Sequence, residues 1–104
     1  MDLVYENWSK ISNDHLENMV SSTLKKERAL LTALLRQLNI IFRRGLYAMR
    51  GYSSLNDYLI GRFGLSKHGA WQRAAVARII DNHPKLLEML EKGETCLSNL
   101  AMIA

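Results

Sequence analysis

Apolar positions recur at the 3.6-residue period over most of the chain, beginning with the segment "LKKERALLTALLRQLNIIFRRGLYAM". There Leu31, Leu35, Leu38, Phe42 and Met49 form a wide stripe with Leu34, Ile41 and Leu46 beside it, which predicts a long amphipathic helix over residues 24–49. Lys25, Lys26, Arg28, Arg36, Arg43 and Arg44 occupy its other face, and Gly45 is an isolated weak point. Upstream, "SNDHLENMV" predicts a first helix starting near Ser12 to Asp14, because short polar side chains there accept the free N–H groups of a first turn. Ser21, Ser22 and Thr23 predict an interruption, so residues 1–23 read as an arm with its own helix and 24–104 as the main helical domain of one compact unit.

Downstream the pattern is one of short helices. Gly51 suits a helix stop, and "YSSLNDYLIGRF" offers Ser53 or Ser54 as a cap, with Leu55, Tyr58, Leu59 and Phe63 apolar. Gly64 ends that helix and Ser66 caps the next, so the linker "FGLS" has the length and the glycine of a helix-turn-helix corner. In the helix from about Lys67 to Asp81, Ala70, Ala74 and Ala77 share a stripe that Val76, Ile79 and Ile80 widen. Pro84 starts a further helix closed by Gly93, and "TCLSNLAMIA" begins a last one capped by Thr95 or Ser98. The expectation is an all-α fold, a compact bundle of four to six helices containing a helix-turn-helix-like pair. Trp71 and the methionines Met49, Met89 and Met102 are expected in the core.

Composition narrows the chemistry. The lone Cys96 forms no internal disulfide, and His15, His68 and His83 lie too far apart for a zinc motif, so no metal or other cofactor is expected. The chain holds no nucleophile motif, no glycine-rich phosphate loop and no convincing carboxylate pair, which argues against an enzyme and against a small-molecule substrate. No apolar run approaches a membrane span and the acidic, aromatic N-terminus is unlike a secretion signal, so a cytoplasmic protein without a membrane partner is expected.

Charge is segregated. Residues 24–80 carry eleven basic and two acidic side chains, net +9, whereas the two ends together carry −5. Such a middle suits double-stranded DNA, with Lys67, His68, Gln72 and Arg73 at the start of the second helix of the corner facing the major groove. Arg43, Arg44, Arg50 and Arg78 are the candidate phosphate contacts. The alternative is a protein-interaction module without nucleic-acid binding, in which the helix over 24–49 uses its stripe to form a homodimer or to dock a partner helix.

The run from Gly51 to Ala104 resembles the helical region upstream of the nuclease domain in a group of bacterial HNH endonuclease-like proteins, and the similarity extends back to Leu24. The residues that carry it are Glu27-Arg28, Gly51-Tyr52-Ser53-Ser54-Leu55 with Tyr58, Gly64-Leu65-Ser66, Arg73, Arg78, Pro84, and Gly93 followed by Leu97-Ser98. The resemblance implies an accessory helical domain for DNA binding or assembly. The sequence has no histidine pair with a downstream asparagine and histidine to build the nuclease metal site, so the catalytic activity does not carry over. An isolated N-terminal domain, or a small protein reusing one, is the expectation.

Overall fold

The computed structural model describes residues 10–104, which fold into six helices: α1 (Asn13–Arg44), α2 (Leu46–Met49), α3 (Leu55–Phe63), α4 (Lys67–Ile79), α5 (Lys85–Glu91) and α6 (Leu97–Ile103). No strand occurs among the described residues, and the chain is an all-α bundle containing the α3–α4 pair. Serines open three of the helices. Ser12, Ser54 and Ser66 each have extended backbone and accept, through the hydroxyl, the N–H three residues on, from His15, Asp57 and Gly69. Each bond satisfies one of the donors that a helix start leaves without an intrahelical partner.

Two sequence expectations about the long helix are corrected. Residues 21–23 do not interrupt it, and α1 runs unbroken for 32 residues, about 48 Å at the usual rise. The expected division between 23 and 24 therefore falls inside one helix. Serine and threonine each disfavour helix by only a few tenths of a kcal/mol, and Thr23 Oγ1 donates to the Met19 carbonyl at 2.9 Å, four residues back, so its hydroxyl is satisfied without breaking the ladder. At the other end the helix stops at Arg44 and does not reach Met49. Gly45 has φ 64°, the left-handed conformation open to glycine, and its N–H closes back on Ile41 and Phe42 carbonyls.

The other elements pack on the C-terminal half of α1. Leu35 is fully buried with Val76, Ile80, Leu87, Leu90, Leu100 and Ala101, while Leu38 is buried with Leu55, Tyr58, Leu59, Ala70, Ala74 and Ala77. Helix α4 serves both clusters and packs against α1, α3 and α6. Its buried alanines, which carry only a methyl, let three helices approach one backbone. By contrast residues 13–27 of α1 are exposed apart from half-buried Met19, and the molecule measures 50 × 28 × 20 Å, its long dimension close to the length of α1. The stripe predicted to drive a homodimer through 24–49 is thus spent inside the chain from Leu31 to Phe42.

Smaller departures share one cause: periodicity assigns a face, not a partner. Met49, Met89 and Met102 lie at the surface, Met89 on the outer side of a helix whose Leu87 and Leu90 are buried. Trp71 is also exposed. Cys96, not Thr95 or Ser98, takes the cap position of α6 and its side chain makes no capping bond, while Pro84 precedes α5 by one residue.

Candidate nucleic-acid interface

Successive residues of a helix rotate by about 100°, so Lys67, Trp71 and Arg78 fall within about 40° of one another on α4. All three are exposed and mark a strip that is interrupted, since Ala74, on the same side between Lys67 and Arg78, is fully buried and Ala75 next to it is buried as well. Lys67 and Arg78 lie about 17 Å apart along the axis. His68 flanks the strip: its ring centroid is 5.7 Å from that of Trp71, with the planes tilted by 32°. Trp71 is 40% exposed.

Gln72 and Arg73 do not share that strip. The same rotation puts each more than about 100° from its centre, on opposite sides, and both are half-buried. Arg73 folds back along its own helix, with Nη1 donating to the Gly69 carbonyl at 3.1 Å. Gly69 makes room for this: a Cβ there would lie 3.2 Å from Arg73 Nη1 and 3.0 Å from the Ser66 hydroxyl.

The candidate phosphate contacts divide in the same way. Arg43 Nε lies 3.6 Å from Asp81 Oδ2, a partly exposed ion pair that spends part of its charge inside the chain. Asn39, one turn earlier on α1, donates through Nδ2 to the same carboxylate oxygen at 3.1 Å and to the Ala77 carbonyl at 2.8 Å. Arg78 Nη1 donates to Asn56 Oδ1 at 3.3 Å and ties α4 to the start of α3. Arg44 and Arg50 are exposed and form no ion pair with a described residue. Arg43 and Arg78 thus lie toward the C-terminal end of α4, while Lys67, His68 and Trp71 lie at its start. Trp71 is the residue that sequence reasoning put in the core; its spacing to Lys67 and Arg78 was no sufficient signal of exposure, since Ala74 has the same kind of spacing to both and is buried.

Electrostatics at the strip come from placement. No acidic residue occupies the first turn of α4, so the positive end of the helix dipole and Lys67 act together on anything approaching that end. Among the described residues no cluster of three or more histidine, cysteine or carboxylate side chains is placed to hold a metal ion, and no helix is long and apolar enough to cross a membrane. Comparison with family models, with curated proteins and with solved structures finds no match for this chain.

Proposed function

We propose that this chain is a non-catalytic domain that binds double-stranded DNA through the α3–α4 pair. The observation that carries the reading is the exposed group Lys67, His68 and Trp71 at the start of the second helix of a serine-capped corner, with no acidic residue in its first turn. Lys67, His68 and Trp71 approach base edges in the major groove, and Arg44, Arg50 and Arg78 hold phosphate. Gln72 and Arg73 contribute from the flanks, which requires Arg73 to leave the Gly69 carbonyl, and Arg43 contributes only by loosening from Asp81. The residues that resemble the region upstream of HNH nuclease domains support a role accessory to, or derived from, such a bacterial cytoplasmic protein.

The test is a fluorescence-anisotropy titration of duplex DNA at several salt concentrations. Changing Arg44 and Arg50 to alanine is expected to weaken binding to every sequence and to lower the slope of log K against log salt by about 0.9 for each phosphate no longer neutralised. Changing Lys67 and His68 is expected to cost about 1–3 kcal/mol per base-reading side chain on a preferred site and less on random DNA. Undetectable binding at low salt would leave the chain as a protein-interaction module.

A further inference from the structure

We infer that the groove between α1 and α3 takes one amphipathic helix of a partner protein, with carboxylates on its flanks. The inference does not rest on DNA binding. Leu34, Leu38 and Ile41 of α1, Leu59 and Phe63 of α3 and Leu65 of the corner enclose a cavity of about 280 Å³, with Gln37 as its one polar wall. Leu38 and Leu59 form the buried floor, and Phe63, 55% exposed, stands at the lip. Along α1 the apolar surface continues to Leu30, which is 67% exposed, seven residues before Gln37 and within about 20° of it. From Leu30 to Ile41 the track runs about 16 Å, or three turns of helix. The cavity is smaller than the usual small-molecule site and suits a single apolar side chain, while the track beyond it suits a helix that seats anchors at i, i+4 and i+7.

Charge fixes the chemistry of the partner. Between Arg28 and Ile80 the only acidic residue is Asp57, which accepts the Ser53 hydroxyl and lies about 120° round α3 from Phe63 and about 160° from Leu59. Asp81 is bonded to Asn39, on the side of α1 opposite Ile41. Arg44 follows Gln37 by two turns within about 20°, at one end of the groove, and Arg62 adjoins Phe63 at the end of α3. Both arginines are exposed and form no ion pair with a described residue. At the other end Glu27 lies beside Lys26, and the two cancel. An apolar track with cations at its rim and no carboxylate between its ends complements an acidic amphipathic helix and repels a basic one. The chain's own acidic helix α5 has Leu87 and Leu90 buried, so a second copy does not offer it as this ligand.

The probe is a synthetic helical peptide of about 15 residues with leucine at i, i+4 and i+7 and glutamate on both flanks. Calorimetric titration into the full chain, without nucleic acid, is expected to give saturable binding with Kd on the order of 10–100 µM, as a small interface provides. The same peptide with lysine in place of glutamate is expected to bind at least about ten-fold more weakly. Amide resonances of Gln37, Ile41, Phe63 and Leu65 are expected to shift during the titration. Leu30→Glu is expected to weaken binding about ten-fold with an unchanged circular-dichroism spectrum, because the position is exposed and glutamate suits a helix. Arg44→Glu together with Arg62→Glu is expected to weaken the acidic peptide about ten-fold and to favour the lysine peptide. No saturation at about 1 mM, equal affinity for the two peptides, or binding unchanged by Leu30→Glu would each overturn the inference. So would resonance shifts confined to α4, or a dimer in sedimentation that Leu30→Glu dissociates, which would make a second copy the occupant.

Discussion

The amide nitrogen of Asn39 donates to the carbonyl of Ala77 at 2.8 Å, joining the middle of α1 to the last turn of α4. Carbonyls in a helix's final turn have no intrahelical donor, and this one is buried against a side chain from another helix. Asn39 is itself 3% exposed, and its second bond, to Asp81, draws in the carboxylate that also faces Arg43. Replacing Asn39 by alanine or leucine is expected to destabilise the fold by about 1–3 kcal/mol, because a buried acceptor is left without its donor. Urea denaturation followed by circular dichroism measures it; a midpoint equal to that of the parent chain would show that water replaces the bond without penalty.

Gly64 holds the α3–α4 corner at φ 71°, where its N–H reaches back to the Leu59 and Ile60 carbonyls. Nothing lies within 4 Å of a Cβ built there, so alanine meets no clash and only the left-handed backbone penalty. The expected cost of Gly64→Ala is about 1–2 kcal/mol. Thermal melting checks it, and a Tm change within error would mean that the corner relaxes to another backbone shape.

Trp71 and Leu35 test the division between recognition and packing. Leu35→Ala opens a cavity at the centre of one cluster and is expected to cost about 2–5 kcal/mol. Trp71→Ala removes an exposed ring, so folding stability is expected to change little while affinity for duplex DNA falls. Parallel denaturation and anisotropy measurements separate the two. A large drop in stability with Trp71→Ala would return this residue to a structural role.

Cys96 Sγ lies 3.2 Å from the Ser98 hydroxyl, within hydrogen-bond distance, and this hydroxyl, followed by the nearby backbone N–H groups of Asn99 and Ser98, favours the thiolate and holds the thiol below its ordinary pKa. The thiolate fraction, and with it the alkylation rate by iodoacetamide, is therefore expected to rise at lower pH than for an unstructured cysteine peptide. Ser98→Ala removes the largest contribution and should move the midpoint upward. Coincident pH–rate curves for the chain and the peptide would contradict this.

Local chemistry made much of the fold legible. Capping depends on residues within one turn, so the stretch Ser12 to Asp14, the pair Ser53 and Ser54, Gly64 and Ser66 announced four helix boundaries without reference to the rest of the chain, and the structure chose Ser12 and Ser54. The period of the apolar positions announced which face of α1 would be buried from Leu31 to Phe42. Continuity through Ser21–Thr23 was not legible, because a few tenths of a kcal/mol per residue is outweighed by the adjoining helical turns. The site divided likewise. Residue type pointed to Lys67 and His68, whereas the exposure of Trp71, the half-burial of Gln72 and Arg73, and the pairing of Arg43 with Asp81 depended on which neighbours α1, α3 and α6 brought to α4. The sequence by itself thus determined the helices, their caps and the basic character of the middle of the chain, since these follow from interactions a few residues long. Only the tertiary structure decided which side of α4 faces solvent and which half of α1 stands free, because burial depends on segments far apart in the chain.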